Sequence, residues 1–262
     1  MRPFNTVAAE LRKATTLPAV WAGIAVALFG SAAITLINAF STRAALDAGH
    51  PEARAFTSPF ETAFAAMPLG TVGAVVIGVV IFSSEYTAHS VEVGGGRQIT
   101  ATLAAIPHRH TVLAAKATVT ILLVVILAAI TMPVTVGIAR LVIGSAGAET
   151  VPLDDAVERC LGGAVYWALT GLIALAITVL TRSGIIPLIV LIVNNSLVSV
   201  SLLLTNLTPL AHWLPDMAGR RLFGGLHTVE GGLDALPGAL VMTGWAILLL
   251  TIAAVVLRRR DA

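Results

Sequence analysis

The residue types that carry out nucleotide and metal chemistry are scarce in this sequence. The only lysines are Lys13 and Lys116, and each is followed by alanine, whereas a phosphate-binding P-loop ends in Gly-Lys-Ser or Gly-Lys-Thr. None of the six histidines is followed by glutamate, which excludes the His-Glu-x-x-His pattern of zinc proteases. His108 and His110 could bind a metal, but no third ligand lies near them in the sequence. The sequence therefore predicts no catalytic residue, no metal site and no cofactor held by this chain itself.

The composition requires lipid as the solvent for much of the chain. Hydrophobic residues make up 57% of the 262 residues and charged residues 11%, whereas a soluble domain is about 25% charged. Sixteen basic residues against fourteen acidic ones leave a net charge of only +2, which argues against nucleic acid as a partner. The single cysteine, Cys160, excludes a disulfide framework. We predict an all-α polytopic membrane protein in which residues 1–262 form a single transmembrane domain.

A helix of about 20 apolar residues crosses about 30 Å of hydrocarbon, and six stretches of the sequence qualify. The predicted spans are residues 19–40, 67–84, 114–138, 160–181, 185–204 and 237–257. The apolar run of the fourth and fifth spans is interrupted only between Thr181 and Gly184. A single helix through this point would bury Arg182 at a cost of about 3 kcal/mol. We therefore predict a tight hairpin that keeps Arg182 at the membrane surface.

Loop charges predict that both termini are cytoplasmic. With six spans, the side that holds the termini carries ten basic and four acidic residues, and the opposite side carries six basic and ten acidic residues. Basic residues accumulate in cytoplasmic loops, so the first side is assigned to the cytoplasm. Arginine far outnumbers lysine, which is typical of high-GC bacterial genes. The predicted location is a bacterial cytoplasmic membrane.

A short amphipathic helix is predicted before the first span. Its apolar residues recur at helical spacing: Phe4, Val7, Ala8 and Leu11. Glu10 and Lys13 lie opposite this stripe, which indicates a helix lying in the membrane interface. Pro18 is expected to end it where the chain enters the bilayer.

Two groups of side chains stand out within the predicted spans. The second span has a face of small residues at every fourth position (Gly70, Ala74, Gly78), which favours close helix packing. The fifth span has the densest polar group of any span (Asn194, Asn195, Ser199, Ser201). Unpaired amides in hydrocarbon are costly, so these residues must contact a neighbouring helix, a partner subunit or water. Two roles for them remain open: hydrogen bonding between helices, and lining a substrate pathway.

The loop between the second and third predicted spans carries an ordered set of residues. In chain order these are Glu85, Arg97, Leu103, Pro107, Arg109 and the pair Ala115-Lys116. Ile99, Leu103 and Ile106 recur at i, i+4 and i+7, which predicts a helix too short to cross the membrane. Such a helix can pack its stripe against the inner ends of the spans and offer its other face to a soluble partner. Lys116 is expected to anchor the third span at the lipid headgroups.

In this order the loop resembles that of the membrane subunits of type-2 ABC exporters. The resemblance also covers the six spans, the N-terminal helix and the long outer segment before the last span; the glycine-rich stretch from His89 to Gly96 departs from it. It implies a permease without its own nucleotide-binding site, with a cytoplasmic coupling helix. The residues implied to couple it to an ATPase are Glu85, Arg97, Leu103, Pro107 and Arg109. The implied partners are two copies of an ATPase subunit, which bind ATP and Mg, and a second permease, identical or homologous.

The function expected from these features is ATP-driven export, for example multidrug or antibiotic efflux. A membrane structural or assembly protein without transport is one alternative. An ion-coupled carrier is another, although such carriers usually keep a carboxylate in the middle of a span and this sequence has none there. The substrate stays open, because an amphipathic antibiotic, a lipid or a peptide would each suit such a lining.

Overall fold

The computed structural model describes residues 3–53, 55–87, 98–105, 108–147, 151–194, 199–224 and 229–259, and within these ranges every regular element is a helix. Five helices there are long and apolar enough to cross a membrane: α2 (Pro18–Asp47), α3 (Pro59–Tyr86), α5 (Arg109–Ala146), α6 (Leu153–Thr181) and α10 (Ala235–Arg259). The shorter ones are α1 (Pro3–Thr16), α4 (Gln98–Ala105), α7 (Ile185–Asn194), α8 (Val200–Thr205) and α9 (Pro215–Ala218). The prediction of an all-α polytopic membrane protein is confirmed.

Prolines mark where two of the long helices begin. Pro18 follows Leu17, whose backbone is extended, and Pro59 follows Ser58, which is also extended. Proline suits the first helical position because its missing N–H has no partner there in any case. The predicted helix boundary at Pro18 is therefore confirmed. Pro133 lies inside α5, which continues through it to Ile143; membrane helices tolerate such prolines when neighbouring helices compensate for the lost bond.

Helices α3 and α6 form the buried centre of the bundle and approach each other through glycines. A Cβ atom added at Gly70 would lie 1.7 Å from the ring of Trp167, and one added at Gly78 would lie 2.1 Å from the carbonyl oxygen of Gly171. Ala74, between the two glycines, is completely buried. The small-residue face predicted from the sequence is thus a site of close packing, confirmed by contacts that leave no room for a side chain.

We expect Gly78→Ala to lower the free energy of unfolding by about 1 to 3 kcal/mol, because the added methyl group must displace the backbone of α6. The matched control is Gly137→Ala in α5, where nothing lies within 4 Å of the new Cβ atom and the higher helix propensity of alanine favours the variant. Reversible unfolding in mixed micelles compares the two. Equal stability of both variants would contradict the close contact.

The fifth predicted span is not one continuous helix. Helix α7 ends at Asn194, the backbone of Ser199 is extended, and α8 begins at Val200; residues 195–198 lie outside the described ranges. The prediction of an unbroken helix over residues 185–204 is therefore wrong. Asn194 and Ser199 accept hydrogen bonds from backbone N–H groups of α8, as polar side chains do where they replace a helical turn.

The predicted hairpin between the fourth and fifth spans is present. Helix α6 ends at Thr181, and Arg182 adopts a left-handed conformation with φ of 52°. The Arg182 side chain is exposed, and Ser183 caps the next helix by accepting from the N–H of Ile185 at 3.2 Å. The chain thus reverses without burying the guanidinium group.

The segment between α8 and α10 consists of short helices that pack against the long ones. Turns at Pro209–Trp213 and Arg220–Leu222 flank α9. The indole N–H of Trp245 in α10 donates to the carbonyl oxygen of Trp213 at 2.8 Å. A Cβ atom at Gly162 of α6 would lie 1.9 Å from the carbonyl oxygen of Leu222. This segment therefore covers one end of the bundle, called the far end below; the opposite end, next to α1, is called the α1 end.

Candidate functional site

Glu85 lies at the α1 end, where α3 tightens into a 3-10 turn at Ser84–Tyr86. Its side chain is completely buried, although it carries a carboxylate. One carboxylate oxygen accepts from the ammonium groups of Lys13 and of Lys116, the latter at 2.7 Å. The other oxygen accepts from the hydroxyl of Thr102 at 2.8 Å. Both oxygens are thus paired with donors from other elements, which is the condition for keeping a charge in a dry interior.

Lys116 lies in the second turn of α5 and is also completely buried. Its ammonium group donates to Glu10 at 2.7 Å and to the carbonyl oxygen of Ile81 at 3.1 Å, in addition to the contact with Glu85. An ammonium group has three protons to donate, so its donors match the acceptors around it. We refer to Glu10, Lys13, Glu85, Thr102 and Lys116 as the Glu85 cluster. Its two carboxylates and two ammonium groups balance in charge.

Several hydrogen bonds hold the short helix α4 against this cluster and the end of α3. Besides the bond from Thr102, the backbone N–H of Gln98 donates to the carbonyl oxygen of Thr87 at 3.2 Å. The Gln98 amide, turned so that both its ends are satisfied, donates to the carbonyl oxygen of Ser84 and accepts from Lys13. Ile99 is 6% exposed and belongs to the hydrophobic core, whereas Ala104 is exposed on another face. Helix α4 therefore lies against the ends of α1 and α3 with one side buried and one side open.

The structure brings together only some of the residues predicted to couple the chain to a partner. Glu85 and helix α4 meet, but Arg109 donates to the carbonyl oxygen of Leu257 in α10 at 2.7 Å. Leu103 belongs to α4, although its side chain is outside what the structure describes. Arg97 and Pro107 also lie outside the described residues.

Two members of the Glu85 cluster were assigned differently from the sequence. Lys116 does not reach the headgroups; it points into the bundle, where two carboxylates compensate its charge. Glu10 does not face the solvent side of α1; it is 7% exposed and turned toward Lys116. One feature of the sequence could have predicted this pairing: both lysines of the chain lie next to the ends of predicted spans. A charge at that depth needs a partner.

The polar group predicted in the fifth span is drawn together by the break in that span. The carboxamide oxygen of Asn194 accepts from the N–H and from the hydroxyl of Ser201, both at 3.1 Å. The Ser199 hydroxyl is completely buried and lies 3.2 Å from a carboxylate oxygen of Asp216. Asn195 lies outside the described residues. Three of the four predicted residues therefore form hydrogen bonds between separate elements, and they do not form the predicted stripe along one helix. The role in lining a pathway stays a prediction.

A second ion pair joins the elements of the far end. The Arg159 guanidinium donates to both carboxylate oxygens of Glu61, at 2.6 and 3.0 Å, and to the carbonyl oxygen of Phe223 at 2.8 Å. It also lies over the rings of Phe60 and Phe64, 4.8 and 5.2 Å from their centroids. Arg159 thus connects α6, the start of α3 and the covering segment.

These arrangements hold elements together and offer no reacting group. Among the residues that the structure describes, no three histidine, cysteine or carboxylate side chains lie close enough to hold a metal. Every charge of the Glu85 cluster is engaged by an opposite charge within the chain. What the cluster can do is transmit displacement of α4 to α1, α3 and α5, because a buried charge cannot give up its partner cheaply.

Comparison with known protein families identifies a match. The family model described as ABC-2 family transporter protein matches residues 6–197, which is more than half of the chain. The matched region contains the Glu85 cluster, the Arg159 ion pair and helices α2 to α7. No curated protein matches the chain.

Proposed function

This chain belongs to the ABC-2 family of transporter proteins, and from that membership we propose that it is the permease subunit of an ATP-driven exporter energised by a separate ATPase. Members of this family are transmembrane components without a nucleotide-binding domain of their own, and they associate with an ABC ATPase. The proposal adds the direction of transport and the route by which the ATPase acts on this chain.

The observation that carries the proposal is the attachment of α4 to the Glu85 cluster. Helix α4 is the one described element between α3 and α5, and its exposed side is available to a soluble partner. Its buried side is held by the bond from Thr102 to Glu85 and by the core residue Ile99. Closure of the ATPase would push on α4, and the cluster would pass that displacement to three other helices.

The proposed assembly contains two ATPase subunits, which bind ATP and Mg, and a second permease, identical or homologous. Both termini and α4 face the cytoplasm of a bacterium in this proposal, which the excess of basic residues at the α1 end supports. The pathway would lie between the permeases, with Asn194 and Asn195 as its proposed polar lining, because Ser199 and Ser201 are buried within the chain. Amphipathic antibiotics, lipids and peptides are the candidate substrates.

We expect the isolated chain to hydrolyse no ATP and to acquire that activity only with its ATPase.

In the complex, we expect ATP to change the accessibility of Cys160, the sole cysteine of the chain, which lies in α6 at the far end. Thr102→Val should weaken this response about tenfold, since a hydrogen bond to a charged group contributes about 1.5 to 3 kcal/mol. The measurement is labelling of Cys160 by a membrane-impermeant maleimide, with and without ATP and vanadate.

The matched control is Thr118→Val in α5, whose hydroxyl donates only to the carbonyl oxygen of Ala114 in its own helix. ATP should change Cys160 labelling in this control as it does in the wild type. An unaltered response in Thr102→Val would remove α4 from the transmission route. ATP hydrolysis by the isolated chain, or transport driven by a proton gradient without ATP, would refute the proposed function itself.

A further inference from the structure

A groove between α5 and α10 opens toward the membrane at the α1 end. Its volume is about 370 Å³, within the range of small-molecule binding sites. Its walls are mainly apolar and include Leu113, Ala114 and Ala117 on α5 and Leu250 and Ala254 on α10. The groove lies outside the Glu85 cluster and outside the polar group around Asn194, so neither proposed role accounts for it.

The end of the groove carries a partial positive charge on the α5 side. His110 lines the groove, and its ring contacts that of His108 with centroids 5.6 Å apart. Both residues lie at the start of α5, where the first backbone N–H groups of a helix give a partial positive charge. Arg109 is tied to the carbonyl oxygen of Leu257, which brings the end of α10 to the same place.

The α10 side carries a full positive charge. Ile247, Thr251 and Ala254 line the groove and recur at helical spacing, so Arg258, four residues after Ala254, is next on that face. Its side chain is exposed. Neither residues 108–117 nor residues 247–259 include an aspartate or glutamate. The groove therefore combines apolar walls with a mouth that carries Arg258 on one side and the start of α5 on the other.

We propose that this groove binds an anionic phospholipid from the leaflet at the α1 end, with an acyl chain along the apolar walls and the phosphate at His110 and Arg258. A soluble anion would pair with Arg258 and leave the walls exposed, whereas a neutral lipid would cover the walls and leave Arg258 without an anion. Basic pockets between membrane helices on the cytoplasmic side are known to bind anionic headgroups. The proposal does not depend on the transport function.

The test is native mass spectrometry of the full chain, released from nanodiscs that contain equal amounts of phosphatidylglycerol and phosphatidylcholine with identical acyl chains. We expect the wild type to retain one phosphatidylglycerol. Arg258→Ala should reduce this retention about fivefold, the effect of one cation near an anionic lipid surface. Ala114→Leu, which narrows the groove from an exposed wall position, should reduce it as well.

Arg140→Ala is the control, because Arg140 is an exposed cation near the opposite end of the same helix; its retention should equal that of the wild type. Melting temperatures establish that each variant is folded, and Arg258 and Ala114 are exposed positions where a substitution leaves the core intact. Equal retention of the two lipids by the wild type would overturn the proposal. So would wild-type retention in Arg258→Ala or Ala114→Leu, or binding of glycerophosphoglycerol, the headgroup alone, as tightly as the lipid.

Discussion

Replacing Glu85 with alanine is expected to lower the free energy of unfolding by about 3 to 5 kcal/mol, the cost of removing one partner from a buried ion pair. The carboxylate is completely buried and is shared by the ammonium groups of Lys13 and Lys116. Without it, Lys116 keeps only Glu10 and a backbone carbonyl oxygen as acceptors, and the cluster carries an excess positive charge away from water. The measurement is reversible unfolding in mixed micelles.

A double-mutant cycle with Lys116→Met separates charge balance from packing. Lys116→Met alone leaves two buried carboxylates facing one ammonium group, so we expect a similar loss of stability. The double variant restores neutrality with Glu10 and Lys13, and it should be more stable than either single variant, because losses within one network do not add. Glu85→Gln preserves the shape of the side chain and reports on the loss of charge alone.

The exposed ion pair between Arg221 and Asp234 supplies the control for this cycle. Its carboxylate is 80% exposed, and such pairs contribute about 0 to 1 kcal/mol. Asp234→Ala should therefore unfold like the wild type. If Glu85→Ala were as stable as Asp234→Ala, the cluster would not be the buried network described here.

Removing Arg159 is expected to have the second largest effect, a loss of about 2 to 4 kcal/mol in the free energy of unfolding. The guanidinium supplies a bidentate pair with Glu61, a bond to the Phe223 carbonyl oxygen and contacts with two stacked aromatic rings. The effect should be smaller than for Glu85, because the two partner side chains remain 17% and 18% exposed and water screens them in part. Arg159→Ala in the same unfolding assay tests this.

Arg159→Lys tests whether geometry or charge matters at this position. Lysine keeps the positive charge but lacks the planar fork that binds both carboxylate oxygens at once. We expect it to recover less than half of the loss seen with alanine. Full recovery would mean that the charge alone stabilises the far end.

The positions of the long helices could be predicted from the sequence, because hydrophobic length and proline placement are local properties of the chain. The break at Ser199 could not. A run of apolar residues with three serines predicts a helix. In the structure, side-chain hydrogen bonds stabilise an extended Ser199 instead, and one of their partners is Asp216, 17 residues beyond Ser199. The partner of Lys116 could not be predicted either, since Glu10 lies 106 residues away in the sequence. Local periodicity places a lysine at a span end but does not identify what it will meet.

The backbone contact between α3 and α6 restricts where this molecule can move. Two helices held at a distance set by Gly78 and the carbonyl oxygen of Gly171 cannot slide or roll past each other without separating first. We therefore expect them to move as one rigid body, so that any change of conformation is taken up by helices packed less closely than these. Helix α2 belongs to the same unit, because a Cβ atom added at Gly73 of α3 would lie 2.6 Å from Ala27, in the π-helical turn Val26–Gly30, and 2.7 Å from the carbonyl oxygen of Gly23.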